Sequence, residues 1–294
     1  GRDPRTLLAA SKPVRDQVYY FTSMWGHMGW STPDIWVPSK LLPTLGLSHR
    51  VIVCPPRMDR EFEIPFRAST ATAHECYGAI VQGEAESHPP DRVCLLGIGM
   101  PILRVPYRRR LRRWRPRAKL ENLDVETLAW CGYRDDSYSH EAIRRWLEDV
   151  PGTNVHVLDL FYWEEREGGF EAMTLTEWDL AHESCSPYDC RRFLENGLSI
   201  PESFRSEPQH LFHERLMQTL WPEVLSEPCN PREEPTPLST MINSLNQLRE
   251  KIDGKSPPSM GLPVVRAFQR HPWLTDLARI GSPTQNSTYS TGPS

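Results

Sequence analysis

The chain has 294 residues, of which 38% are hydrophobic, and this is enough to form a buried core in one large domain or two small ones. Its 34 basic and 38 acidic side chains give a net charge of -4, so the overall field does not attract nucleic acid or an anionic membrane. Because no apolar run can span a bilayer and the seven scattered cysteines include no Cys-x-x-Cys pair, the composition predicts a cytoplasmic protein without disulfides or structural zinc.

The first hundred residues alternate between helix signals and strand signals. The predicted elements, in chain order, are helix 6–10, strand 17–22, loop 23–32, helix 33–45 capped by Gly46, strand 49–54, helix 68–81 and strand 92–96. This alternation predicts an α/β fold with a parallel sheet and helices on both faces. Ligands of such sheets bind beyond the carboxyl ends of the strands.

From about residue 120 the sequence predicts a mostly helical layer, and after Trp221 it becomes rich in Pro and Ser. The predicted helices are 123–130, 140–147, 175–183, 189–196, 208–220 and an amphipathic segment at 238–252. We therefore expect three parts. Residues 1–118 form a nucleotide-binding α/β part, 119–230 a helical part of the same domain, and 231–294 a largely disordered tail.

Two glycine-containing turns are candidates for anion binding. Gly1–Arg5 opens the first predicted helix, and Gly97–Gly99 follows the third predicted strand. Glycine lets a backbone approach a phosphate closely, and helix N-termini present free N–H groups. Each turn taken alone is better explained as an ordinary tight turn.

The order of these motifs resembles the synthetase domain of asparagine-synthetase-like proteins, in the PP-loop ATP pyrophosphatase superfamily. Residues 1–8 resemble the second half of the family's phosphate loop, so the chain is expected to be divergent and truncated at its N-terminus. Residues 34–52 resemble the next helix and strand, and residues 96–107 resemble the second nucleotide motif with both of its glycines. The resemblance extends to about residue 230 through 159–166, 183–189 and 198–201.

The resemblance implies an adenine-nucleotide alpha-hydrolase-like (PP-loop) sheet. It also implies an ATP- and Mg²⁺-dependent ligase or amidotransferase that adenylates a small carboxylate and transfers it to an amine or ammonia. A separate glutaminase domain or subunit would then be a partner. Neither nucleic acid nor a membrane is an expected partner.

The site residues implied by the resemblance lie in both turns and after the first strand. Asp3 would hold Mg²⁺, and Arg104, or alternatively Arg108, would stabilise the leaving pyrophosphate. The nucleotide-binding residues would be Gly1, Asp3, Arg5, Thr22, Ser23, Gly97 and Gly99.

The departures from the family pattern support a second hypothesis. Pro4 replaces a serine of the phosphate loop, which removes a hydroxyl and an N–H donor. Pro101 and Ile102 replace an Asp-Glu pair that would hold Mg²⁺. The alternative to a ligase is therefore a non-catalytic binding or scaffold protein, a pseudoenzyme with degraded nucleotide motifs.

Two charged runs have competing interpretations. Residues 108–119 contain eight basic residues, which suit either a polyanion, with Trp114 for base stacking, or a solvated helix face. Residues 164–167 could hold a general acid or bind an amino-acid substrate, or they could form an ordinary surface charge run. The pairs His27 with His49 and Cys185 with Cys190 have no metal-ligand spacing, and we assign them to structure.

Overall fold

The computed structural model describes residues 1–26, 28–69, 77–115, 123–132, 136–150, 152, 154–208 and 210–231, all within one compact unit. The predicted helix at 238–252, the tail beyond residue 231 and the proposed boundary at 118–119 lie outside these residues. Across the described ranges, no helix combines the length and apolarity needed to cross a membrane.

The first elements follow the predicted order. They are α1 (Arg2–Ala10), a 3-10 helix (Lys12–Gln17), β1 (Phe21–Met24), α2 (Pro33–Thr44) and β2 (Arg50–Val53). However, α1 begins before the predicted helix 6–10, and β1 overlaps the predicted strand 17–22 at only two residues and extends into the predicted loop. Strands β1 and β2 pair in parallel over four residues each, and Gly46 ends the α2 turn with φ +73°. Pro33 at the first position of α2 and Gly46 beyond its end are the expected helix boundaries.

The next elements differ from the prediction. The predicted helix 68–81 is replaced by α3 (Arg60–Ser69) and α4 (Gly78–Ser87). β3 (Cys94–Leu95) was expected to join the sheet of β1 and β2, but it pairs in parallel with β4 (Ser184–Cys185) in a second small sheet. The β3–β4 pair is held by the N–H groups of Cys94 and Leu96, which donate to the Glu183 and Cys185 carbonyls. The described part of the fold is therefore α/β with two short pairs of parallel strands.

The remaining elements are helical. They are a 3-10 helix (Met100–Arg104), α5 (Pro106–Trp114), α6 (Val125–Gly132), α7 (Ser137–Asp149), α8 (Val157–Phe161), a π-helix (Tyr162–Glu171), α9 (Ala172–Trp178), α10 (Arg191–Ser199), α11 (Glu202–Arg205), α12 (Leu211–Leu220) and a final 3-10 helix (Pro222–Leu225). The predicted helical layer is confirmed in its described part. The helix predicted at 175–183 is wrong in extent, since α9 ends at Trp178.

Two hydrophobic clusters set the positions of the elements around the candidate site. One joins α5 to the helical layer through Leu111, Leu128 and Phe161, so residues on both sides of the proposed boundary share a core. The other packs Ala9 of α1 against Met217 of α12. Helix α12 therefore packs along α1, although 200 residues separate the two helices in sequence.

Candidate functional site

The structure brings the two glycine-containing turns into contact. A Cβ atom on Gly97 would lie 3.3 Å from Asp3 Cβ and 3.4 Å from the Pro4 nitrogen, so the turn lies directly against α1. Gly99 has φ +89°, a conformation that strongly favours glycine, and a Cβ there would meet Tyr188 at 3.4 Å. Glycine is thus favoured at position 99 by the backbone conformation and at position 97 by the tight contact with α1.

The Asp3 carboxylate is the centre of the site. Its Oδ2 lies 3.0 Å from an Arg104 guanidinium nitrogen, and its Oδ1 lies 3.6 Å from His213 Nε2. Oδ1 is buried and has no hydrogen-bond partner among the described residues, and neither has either ring nitrogen of the fully buried His213. A buried polar atom without a partner costs free energy, so these atoms are the least satisfied polar groups of the site.

His213 was missed by the sequence reasoning, whereas Asp3 and Arg104 were identified. The only local signal was its spacing of one turn from Met217 on α12, where both residues are buried. That spacing indicates a core face but says nothing about Asp3.

Tyr188 ties the two turns together. Its hydroxyl donates a hydrogen bond to the Asp3 carbonyl at 3.1 Å, while its Cβ packs on Gly99. Burial raises the pKa of Tyr188, and the charge of Asp3 raises it further, so the phenol stays protonated and remains a donor.

Glu167 brings a second carboxyl group to the site. The π-helix places its Oε2 3.0 Å from the Gly99 nitrogen, whose N–H donates to it. Burial raises the pKa of Glu167 to about 7, and the neighbouring charge of Glu171 contributes in the same direction. The Gly99 N–H that the resemblance assigns to a phosphate is therefore bonded to an internal carboxyl group.

Two of the expected nucleotide contacts have structural roles near the start of the chain. Arg5 is buried, and its guanidinium donates to the carbonyls of Val224 (3.3 Å), Pro228 (2.9 Å) and Glu227. These bonds anchor α1 to the segment after α12, so these Arg5 donors are occupied and are not free to bind a phosphate. Gly1 lies against the Pro4 ring, 3.5 Å from a Cβ built on it.

Thr22 and Ser23 belong to a different cluster. Thr22 Oγ1 lies 3.0 Å from His49 Nε2, and Ser23 Oγ donates to Glu84 Oε1 at 2.5 Å. Glu84 is buried on α4. Both hydroxyl groups, which were expected near adenosine, thus hydrogen-bond to neighbouring side chains.

Arginines of the basic run are engaged by acidic and backbone partners. Arg108, the alternative pyrophosphate ligand, is buried and pairs with Asp159 and with Glu202 at 2.9 Å. Arg112 also pairs with Glu202, at 2.5 Å.

Two further arginines of α5 have partners among the described residues. Arg109 pairs with Glu207, and Arg110 donates a hydrogen bond to the Cys131 carbonyl. The pairs with Asp159, Glu202 and Glu207 neutralise part of the positive charge that binding of a polyanion would need.

The described ranges contain no group of three or more His, Cys, Asp or Glu side chains that could hold a metal ion. Asp3, the residue predicted to hold Mg²⁺, contributes a single carboxylate, which lies beside Arg104. His27 lies outside the described residues, and Cys185 and Cys190 are exposed free thiols. A resident metal centre therefore has no ligand set in the described part of the chain.

Comparison with known proteins provides no relative for this chain. Neither the family models, nor the curated proteins, nor the solved structures contain a match. The resemblance to asparagine-synthetase-like proteins consequently rests on short motifs, and the function has to be argued from the Asp3 site.

Proposed function

We propose that the chain binds the phosphate groups of ATP where the Gly97–Gly99 turn meets the first turn of α1, and acts as an ATP-dependent ligase. The contact between Gly97 and Asp3 carries this proposal, because it joins two residues 94 positions apart whose turns both suit an anion. The PP-loop arrangement of the sheet is part of the same proposal. The substrates would be a small carboxylate and an amine or ammonia.

In the proposed reaction, a substrate carboxylate oxygen attacks the α-phosphorus of ATP, and pyrophosphate leaves. The amine then attacks the acyl carbon of the adenylate, and AMP leaves as the amide forms. Arg104 is the cation placed to stabilise the leaving pyrophosphate, since it is 30% exposed and its Nε has no partner in the described structure. A phosphate would compete with Asp3 for this guanidinium.

Mg²⁺ would enter the site together with ATP. Magnesium usually binds through one or two carboxylates and the substrate phosphates, and Asp3 Oδ1 is a carboxylate oxygen without a hydrogen-bond donor among the described residues. The ion would neutralise charge on the phosphates. Because a phosphate would draw Arg104 away from Asp3, the freed carboxylate would hold the ion together with ATP.

A specific observation favours the second candidate, a non-catalytic binding or scaffold protein. Glu167 accepts the Gly99 N–H, and Arg104 pairs with Asp3, so charged groups of the chain already satisfy donors that a nucleotide would use. Under this hypothesis, these contacts only stabilise the fold, and ATP has no site.

Calorimetric titration of Mg-ATP into the full chain tests both candidates. We expect micromolar binding that is lost in Asp3→Asn, which keeps the shape of the side chain but removes its charge. The matched control is Asp16→Asn, because the Asp16 side chain is 89% exposed, and it should bind ATP like the parent chain.

Release of pyrophosphate in a screen of small carboxylic acids then separates ligase activity from simple ATP binding. Absence of binding heat from the parent chain, with a cooperative thermal transition that shows it is folded, would overturn the ligase proposal. That result would support the scaffold candidate.

A further inference from the structure

Three side chains outside the Asp3 site form a continuous hydrogen-bonded chain. Ser184 Oγ lies 3.2 Å from His182 Nδ1, and His182 Nε2 lies 2.9 Å from Glu84 Oε2. A hydroxyl, an imidazole and a carboxylate in this order are the components of a nucleophilic triad, which is identified by geometry and not by position in the sequence.

The carboxylate end of this chain is fixed in position. Glu84 is 5% exposed and accepts two further hydrogen bonds, from Ser23 Oγ at 2.5 Å and from Trp178 Nε1 at 2.7 Å. These donors replace the hydration that the buried carboxylate loses, and they prevent it from rotating.

The hydrogen bonds determine which nitrogen of His182 carries the proton. A carboxylate only accepts hydrogen bonds, so His182 Nε2 must donate to Glu84, which leaves the Nδ1 lone pair for the Ser184 hydroxyl. The His182 side chain is 1% exposed, and the His88 ring packs on it with centroids 4.6 Å apart. The imidazole is thus held in the orientation of a general base toward Ser184.

The position of Ser184 in the sheet limits what can reach it. Ser184 is paired with Cys94 across β3 and β4, and partners in a parallel pair point to the same face. Cys94 and His182 on this face are buried, whereas Ser184 is partly exposed. Because Ser184 is partly exposed while its neighbours on this face are buried, the site favours a short acyl group over a bulky one.

We propose that Ser184, His182 and Glu84 form a second, esterase-type site that acts on small acyl esters. Ser184 Oγ attacks the acyl carbon, its proton moves to His182 Nδ1, and the ester C–O bond breaks. The alcohol leaves with that proton. Water activated by His182 then cleaves the acyl-serine and releases the acid. Glu84 is a positioning residue, since it acts on the substrate only through His182.

This inference does not depend on the proposed ATP site. It uses none of Asp3, Arg104, Gly97 or Gly99 and needs no nucleotide, so either proposal can fail while the other stands. It also gives a use to Ser23, whose hydroxyl supports Glu84.

Labelling with a small alkyl fluorophosphonate tests the nucleophile in the full chain. The probe forms a bond between Ser184 Oγ and phosphorus with loss of fluoride, and peptide mass spectrometry identifies the labelled residue. We expect one label at Ser184, none in Ser184→Ala, and unchanged labelling in Ser199→Ala, a control at an exposed serine. His182→Asn should slow labelling by about 100-fold or more, the usual effect of losing a general base.

The pH dependence of p-nitrophenyl acetate hydrolysis tests the role of Glu84. Glu84→Gln removes the negative charge beside the imidazole, so the midpoint of the pH–rate profile should move to lower pH. Among the described residues, the other titratable groups near His182 and Glu84 are His88, Cys94 and Cys54, and all three are unchanged in this variant. An unmoved midpoint would contradict the positioning role.

Two results would overturn the proposal. The first is a folded chain in which Ser184 is not labelled, or in which other serines react equally. The second is a His182→Asn variant that keeps its thermal transition and is labelled at the parent rate.

Discussion

At the scale of single residues, the most unusual group is Glu167. Its side chain is buried, its Oε1 has no hydrogen-bond partner among the described residues, and its pKa is raised to about 7 from a normal value of 4.5. Between these two values the folded chain holds a proton that the unfolded chain has released. Stability therefore falls as the pH rises through this window.

Replacement of Glu167 by Gln should stabilise the protein at pH 8. The amide keeps an oxygen that accepts the Gly99 N–H but carries no charge to bury. We expect the free energy of unfolding to rise on the order of 2 kcal/mol at pH 8 and much less at pH 5, as measured by urea denaturation.

Glu148→Gln on the exposed surface of α7 is the matched control and should change the free energy of unfolding little at either pH. Equal stabilisation at both pH values would show that the charge of Glu167 is not the cause.

At the scale of elements, the decisive contact is the turn after β3 packed on the first turn of α1. A Cβ atom built on Gly97 would lie 3.3 Å from Asp3 Cβ and 3.4 Å from the Pro4 nitrogen, so a larger side chain would require the helix to shift. The helix backbone cannot move aside easily, because Arg5 anchors α1 to three carbonyl groups. The junction is thus tight on both sides.

Gly97→Ala should lower the free energy of unfolding by about 1–3 kcal/mol, the usual cost of inserting a methyl group into a packed contact. It should also weaken any ATP binding, since it separates the two turns. Urea denaturation measures the first effect and calorimetry the second.

Gly29→Ala provides the control for Gly97→Ala, because no atom lies within 4 Å of a Cβ at Gly29. A Gly97→Ala variant as stable as Gly29→Ala would mean that the two turns are not in contact in solution.

At the scale of the whole molecule, packing removes several histidines from water. Burial lowers the pKa values of His49, His88, His156 and His210 below the usual 6.5. The unfolded chain then binds protons that the folded chain does not. The stability that these four neutral histidines contribute is present above about pH 6.5, and it is lost as the pH falls through and below that value.

In the Glu167→Gln variant, the melting temperature should therefore fall as the pH is lowered from 7.5 to 5. Glu167 has the opposite dependence over the same range, so the parent chain should show a shallower decrease. A melting temperature in the variant that is constant or rises on acidification would contradict the burial of these histidines.

The local features of this chain were predictable from its sequence. Helix α2 begins at Pro33 and ends before Gly46, and β2 lies within the predicted strand 49–54. Proline and glycine restrict the backbone directly, and apolar spacing shows which face is buried, so neighbouring residues suffice to specify such elements. Short motifs also pointed to Asp3 and Gly97 as candidate site residues; the structure brings the two into contact, and their role stays a prediction.

The tertiary structure alone decided which distant groups meet. The sequence placed β3 with β1 and β2, but two-residue strands form too few hydrogen bonds to select a partner, and β4 takes that place. The contacts of His213 with Asp3 and of Glu167 with Gly99 join residues separated by 210 and 68 positions. Local propensity carries no information about such pairs, because they depend on how helices such as α1 and α12 pack through the core.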